Sequence, residues 1–395
     1  FQLLNKQNLS QIGNAVAVSN PSTSKQGFEM TQGNDGFIYY AFSEEYDISI
    51  NKMSNSGAEI WSYTVVVNSA DDIIKSIYPQ SDSGCIIIYE SEHWETGSEL
   101  YALAIDGDGN LETGWPVLLS NLSGNQYFEN SLVVDDGIFI SFKTNTTGNY
   151  DVYGQHLLFD GSLNFGNDGI AIAENSNDQE ESSITYNESL NEVFCCYQSS
   201  GSSGTDIYCN KIQLSNQAIS GAIEVSSNSD NQGNPNVFWS GSSYLITWED
   251  ARNISDSDVD IYFQELLEDE FVFSNGGDPL CTFDMKQERP IISQYNSSSF
   301  IIIWEDYRST GKEFCANLYG QTYSPGSGCP NLGDMNGDDT WNVLDIVALA
   351  NCVLASNCGD LDNGCAGDMN GDDTWNVLDI VALANCVLAS ACDEI

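Results

Sequence analysis

The chain has 395 residues, 58 of them acidic and 11 basic, for a formal charge of −47. That charge excludes a nucleic-acid partner, whose phosphates need a basic face, and disfavours an anionic membrane surface. The length predicts two or three domains, and no stretch reads as a membrane span.

Twelve cysteines among abundant Asn, Ser and Gly predict an oxidising, extracellular compartment. The chain begins at Phe1 without a Met, as expected of a secreted protein after processing. Six Asn-x-Ser/Thr sequons occur, at Asn8, Asn121, Asn145, Asn187, Asn253 and Asn296.

Residues 1–323 carry no long amphipathic helix and read as short strands between Gly, Asn, Asp and Ser turns. A degenerate repeat of about 50 residues runs through them. Each unit opens with an apolar strand: Phe37–Phe42, Cys85–Tyr89, Ile138–Phe142, Val193–Tyr197, Tyr244–Trp248 and Phe300–Trp304. A polar hairpin follows, then a second strand beginning Asp47-Ile, Glu99-Leu, Asp151-Val, Asp206-Ile, Asp260-Ile or Asn317-Leu. Six such units predict a mainly β fold, a six-bladed β-propeller with seven blades as the alternative, followed by a small helical domain. The continuous apolar strands fit sheets covered on both faces. Ile12–Ser19 resembles the last strand of the other units and is expected to close the ring on the final blade. Residues 1–8 are expected to add to that blade or to a neighbouring molecule.

Trp248-Glu-Asp-Ala-Arg252 and Trp304-Glu-Asp-Tyr-Arg308 share a Trp-Glu-Asp-x-Arg pattern that resembles the blade repeats of bacterial secreted propellers. A catalytic reading takes Glu249/Asp250 or Glu305/Asp306 as an acid/base pair. The favoured reading is structural, with Arg bridging carboxylates at a strand end. Asp106-Gly-Asp-Gly-Asn110 reads as a hairpin turn or a calcium-loop fragment. A cross-strand disulfide is expected among Cys195, Cys196 and Cys209. With two histidines and no catalytic fingerprint, the chain is expected not to be an enzyme.

Residues 324–330 read as a linker and 331–395 as the second domain. There Gly333–Ser356 recurs unchanged as Gly367–Ser390, an internal duplication at an offset of 34. Each copy opens with a twelve-residue loop. Asp334, Asn336, Asp338, Thr340, Asn342 and Asp345 fall at positions 1, 3, 5, 7, 9 and 12, and Asp368, Asn370, Asp372, Thr374, Asn376 and Asp379 repeat them. Hard oxygen ligands at this spacing converge on one Ca2+ per loop, two in all. The competing reading is a solvated acidic loop. Trp341 and Trp375, at position 8, can pack each loop against its twin. Val-Leu-Asp-Ile-Val-Ala-Leu-Ala-Asn-Cys-Val-Leu then predicts a helix with a broad apolar face. Six cysteines stand here, Cys329, Cys352, Cys358, Cys365, Cys386 and Cys392, and sequence leaves their pairing open.

This loop–helix unit, duplicated and with Asp at position 12, resembles a dockerin domain. The resemblance implies calcium-dependent docking of an extracellular protein on a cohesin partner. Asp339 and Asp373 depart from the usual Gly at position 6. Val343-Leu344 and Val377-Leu378 stand where dockerins carry polar recognition residues, which implies a more apolar docking face.

The expectation drawn from the sequence is a secreted, non-enzymatic structural protein that polymerises into a filament through propeller and calcium-loaded contacts. The alternative is a propeller that binds carbohydrate or protein and docks on a cohesin-like scaffold, and the third is a polysaccharide-active propeller enzyme.

Overall fold

The computed structural model describes residues 3–4, 11–12, 25–44, 46–65, 71–93, 97–201, 204–228, 230–253, 258–296, 299–308, 316–325, 332–336, 340–355, 357–358, 361, 364–369, 374–389 and 392. The chain divides into two compact units, residues 1–293 with 301–321, and residues 294–300 with 322–395. The fold is mainly β, with two C-terminal helices.

Six sheets follow one another along the chain, one for each predicted unit. Sheet 1 holds strands Lys25–Gln32, Ile38–Glu44, Asp47–Met53 and Glu59–Val65. Sheet 2 holds Asp71–Pro79, Gly84–His93, Gly97–Asp106 and Val117–Leu118. Sheet 3 holds Gln126–Val134, Gly137–Thr144, Asp151–Leu158 and Ile170–Ala173. Sheet 4 runs from Gln179–Asn187 through Glu192–Ser200 and Thr205–Gln213 to two short strands ending at Ser226. Sheet 5 runs likewise from Gln232–Trp239 through Tyr244–Asp250 and Asp260–Leu267 to Asp278–Cys281. Sheet 6 comprises Gln287–Gln294, Phe300–Asp306 and Asn317–Tyr323. Gln11–Ile12 pairs with Leu3–Leu4. The rest of the expected closing strand, residues 13–19, lies outside the described residues.

The second strand of each sheet explains the apolar runs. In Gly84–His93, Cys85, Ile87 and Tyr89 join a core shared with sheet 1, and Ile86 and Ile88 join one shared with sheet 3. A strand alternates its side chains between two faces, so a strand covered on both must be apolar at every position. The same sharing joins sheets 3 and 4, and 4 and 5.

The first strands of sheets 1 to 5 each carry a β-bulge, and Arg289 marks the corresponding place in sheet 6 by its φ. Gly27, Glu181, Asn234 and Arg289 take positive φ there. The N–H groups near these positions are met from the preceding sheet. Glu90 accepts from Phe128 N at 3.1 Å, Glu129 from Glu181 N at 2.7 Å and Ser182 N at 3.0 Å, and Glu249 from Arg289 N at 2.8 Å. Ser43 accepts from Ile74 N and Ser183 from Val237 N. These bonds tie the first strand of a sheet to the sheet before it.

The repeated Trp-Glu-Asp-x-Arg pattern is structural in its Asp and Arg. Asp250, fully buried, accepts from Trp248 Nε1 at 2.9 Å and from Arg252 Nε and Nη2. Arg252 also reaches the Gly276 carbonyl at 2.7 Å. Asp306 is held the same way by Trp304 and Arg308. Cys196 and Cys209 lie opposite in register and form the expected cross-strand disulfide, leaving Cys195 buried and free. Asp106 closes on the Asp108 and Asn110 amides, a hairpin turn. The Asn187 sequon is unusable, because that side chain is 1% exposed and donates to the Tyr244 hydroxyl. Among the described residues no helix is long and apolar enough to cross a membrane.

Candidate calcium loops and propeller mouth

Two helices, α1 (Val343–Ala355) and α2 (Val377–Ala389), follow the two loops as the duplication predicts. Each starts at an asparagine cap. Asn342 Oδ1 accepts from Leu344 N, and Asn376 Oδ1 from Leu378 N, both at 2.8 Å. The cap occupies the side-chain oxygen at loop position 9. The amide nitrogens turn back on the position 7 carbonyls, Thr340 O and Thr374 O, at 2.9 Å each.

Position 12 is the best-defined part of both loops. Asp345 and Asp379 are fully buried. Asp345 accepts from Asn342 N at 2.9 Å and Asn336 N at 3.3 Å, and Asp379 from Asn376 N at 2.8 Å. Asp379 Oδ1 is buried and has no hydrogen-bond partner among the described residues. A buried carboxylate oxygen without a donor is costly unless a cation meets it, so this geometry fits a calcium ion. Asp334 is also buried, at position 1. Asn336, Thr340, Asn342, Asp368, Thr374 and Asn376 are described, whereas Asp338, Asn370 and Asp372 lie outside the described residues.

The repeats pack on each other through one small core. Met335, Leu349, Cys352, Met369, Leu383 and Cys386 fill it, with Trp341 and Trp375 beside them. A Cβ at Gly333 would stand 2.8 Å from Leu383 Cδ1, and one at Gly367 would stand 2.5 Å from Leu349 Cδ1. Each glycine thus admits the helix of the other repeat immediately before its loop begins. Trp341 Nε1 donates to Leu332 O at 2.9 Å and Trp375 Nε1 to Gly364 O at 2.8 Å. Disulfides Cys352–Cys358 and Cys386–Cys392 tie down the two helix ends. Nothing in the sequence distinguished this pairing from the others. Outside the core, Val343, Leu344 and Val347 of α1 and Val377, Leu378 and Val381 of α2 are each at least half exposed.

The second site lies on the first strands of sheets 3 to 6. A cavity of about 200 Å³ is lined there by Asn130, Glu181, Ser182, Asn234, Asn236 and Arg289, among others. Arg289 joins two of the sequence's candidate acids. Its backbone N–H reaches Glu249, and its Nη1 lies 3.1 Å from Glu305 Oε1. Burial pushes the Glu249 carboxyl above the usual range, against the Arg289 amide that lowers it. Burial likewise raises Glu129, against bonds from Ser182. Asp250 and Asp306 are absent from this arrangement, because their arginines hold them. Sequence reading found Glu249 and Glu305 but missed Glu129, whose place depends on a bulge, and Arg289, whose place depends on a positive φ.

Residues 332–388 match the family model of the dockerin type I domain. The match supports calcium in this C-terminal segment. No curated protein matches the chain. Solved structures similar to the chain include an α-L-arabinanase of Penicillium chrysogenum complexed with arabinobiose, at 8% identity, covering 76% of this chain and 93% of that one with a TM-score of 0.43. Others are the GH93 α-L-arabinofuranosidase of Fusarium graminearum (10% identity, 76% and 93% covered, TM-score 0.41) and the GH43 endo-arabinanase of Bacillus licheniformis (9%, 77% and 95%, TM-score 0.32).

Two expectations are corrected. The self-assembling filament does not stand: the C-terminal segment matches a docking module, the dockerin type I domain. The exclusion of enzymatic activity is withdrawn on chemical grounds. It rested on missing Ser-His-Asp, Cys-His and metal fingerprints, and a glycosidase needs only two carboxylates.

Proposed function

We propose that the C-terminal dockerin segment, with one Ca2+ in each loop, docks this chain on a cohesin-type receptor, and that the propeller mouth engages a polysaccharide. The observation that carries the docking reading is the pair of repeats itself. Two buried position-12 carboxylates brace the loops, and the two helices start with exposed Val-Leu pairs. The ions would be held by Asp334, Asn336, Asp338, Thr340 and Asp345, and by Asp368, Asn370, Asp372, Thr374 and Asp379. The capping bonds leave Asn342 and Asn376 to act through a water at most. Calcium supplies the charge that draws the carboxylates together. This chain's residues supply the fixed frame on which α1 and α2 present their apolar starts. The disulfides support a secreted or cell-surface setting, outside the reducing cytosol.

The test is calorimetric titration of the full chain against a panel of cohesin domains, with calcium and with EDTA. Binding is expected in calcium and lost in EDTA, and lost in calcium on Val343→Asp with Val377→Asp. A calcium-loaded chain that binds no member of the panel overturns the docking reading.

A second reading concerns the mouth. Glu249, pushed by burial toward its protonated form, can donate a proton to a glycosidic oxygen, and Glu305, aligned by Arg289, supplies the second carboxylate. Release of reducing sugar from polysaccharides, arabinan among them, that falls at least a hundredfold in Glu249→Gln and Glu305→Gln supports hydrolysis. Polysaccharide binding without turnover makes the mouth a binding site alone.

A further inference from the structure

Sheets 3 to 6 each begin on a glutamine, Gln126, Gln179, Gln232 and Gln287, and all four are buried. Each turns its amide N–H back on the loop just before it. Gln126 Nε2 donates to Leu122 O and Gly124 O at 2.7 and 2.6 Å, Gln179 to Asn177 O at 2.6 Å, and Gln232 to Asp230 O at 2.6 Å. Gln287 donates to Phe283 O at 3.1 Å and to Met285 O. The register identifies the matching residue of sheet 2. Gln126 faces Thr144, Gln179 faces Ser199, and Asp72 faces Ser91.

Asp72 therefore stands where the other sheets place a hydrogen-bond donor, and an ionised carboxylate has none to offer. It is 1% exposed, and among the described residues neither side-chain oxygen meets a donor in hydrogen-bond geometry, the Ser91 hydroxyl across the strand pair included. Gln126, Gln179 and Gln287 each leave one amide oxygen unpartnered as well. A neutral amide oxygen costs far less to bury than a charge with both oxygens unmet. Asp72 lines a cavity of about 260 Å³ together with Ser43 and Glu44 of sheet 1 and Asp71 of sheet 2, and among the described residues no basic side chain lines it. Burial, opposed by Ser91 and reinforced by Asp47 and Asp71, pushes the Asp72 carboxyl up to about 6.

We propose that this cavity is a calcium-class divalent-cation site, with both Asp72 oxygens at its buried end and Asp71 and Glu44 as further carboxylate ligands. A hard cation takes carboxylate and hydroxyl oxygens at this mixture of charges. It does for sheet 2 what the glutamine amide does for the others. With Glu44 on one sheet and Asp72 on the next, the ion clamps sheets 1 and 2. Among the described residues no three acidic, His or Cys side chains already converge on one point, so Asp71 and Glu44 swing inward on loading. The site is independent of the C-terminal loops.

The test counts Ca2+ bound per full chain by equilibrium dialysis, in a background carrying Asp345→Asn and Asp379→Asn so that loop calcium is removed separately. One Ca2+ is expected to remain in that background and to vanish on adding Asp72→Asn. Asp72→Gln, which restores the residue of the other sheets, checks that a folded chain has been measured. In EDTA both Asp72 variants should melt above the parent, because a buried charge is gone. In excess calcium that advantage should disappear or reverse. An unchanged calcium count, or an Asp72→Gln shift that is the same in EDTA and calcium, overturns the proposal.

Discussion

The contact that joins the two loop–helix repeats is open to a double-mutant cycle. Gly367 ends a turn of 3-10 helix, Gly364–Gly367, one residue before the second loop. An added Cβ would lie 2.5 Å from Leu349 Cδ1, 3.0 Å from Met335 Sδ and 3.2 Å from Trp375 Cδ1. Leu349 is fully buried, so its methyl has nowhere open to turn. Overpacking of this kind costs about 1–3 kcal/mol. Stiffening the unfolded chain returns about 0.4–1 kcal/mol. Gly367→Ala is therefore expected to lose about 1–2 kcal/mol. Leu349→Ala alone should lose about 2–5 kcal/mol through its cavity, yet it makes room for the new methyl. The double variant should then be more stable than the sum of its parts by about 1–2 kcal/mol. The assay is denaturant unfolding of the full chain in calcium, followed by circular dichroism at the helix minimum, because α1 and α2 are the only α-helices among the described residues. Additive losses, within about 0.5 kcal/mol, would refute the claim that each repeat's glycine receives the other repeat's helix.

Three further outcomes follow from the same geometry. Disulfides Cys352–Cys358 and Cys386–Cys392 each close a short loop. Replacing either pair by serines should cost the helical signal about 2 kcal/mol, while Cys196 and Cys209 replaced together should leave that signal unchanged. Removing Arg252 strands the fully buried Asp250 carboxylate. Arg252→Ala should destabilise the β domain by about 3–5 kcal/mol, and adding Asp250→Asn should recover part of it; a loss near zero would contradict the ion-pair reading. His156, 1% exposed, has its pKa lowered by burial, against Asp136 at 3.0 Å, which raises it. The fold thus favours neutral imidazole. Its contribution is present above the ordinary value near 6.5 and is lost as pH falls through the lowered one. His156→Gln should flatten the fall in melting temperature as pH drops below about 6.5 relative to wild type; parallel curves would rule this out.

The duplication at Gly333 and Gly367 was legible because it is linear. Loop ligands spaced by two and a helix-length apolar run are both local, and the two helices stand where they were read. The six sheets were legible for a related reason: a strand covered on both faces must be apolar throughout, as Cys85–Tyr89 is. What stayed hidden depends on which residues meet across long gaps. The two disulfides needed the helix ends in place. Arg289 joins Glu249 to Glu305 where its backbone takes positive φ, a local turn that no sequence pattern announces. Asp72 was hidden differently. Glutamines at 126, 179 and 232 recur every 53 residues, and Asp72 lies 54 before the first, so the break in the pattern was present in the chain. The sequence by itself determined the modules and their order, because period and spacing are written along one dimension. Tertiary structure decided which carboxylates are held by arginine, which by backbone amides and which by nothing, because only packing withdraws a charge from water and decides what stands beside it.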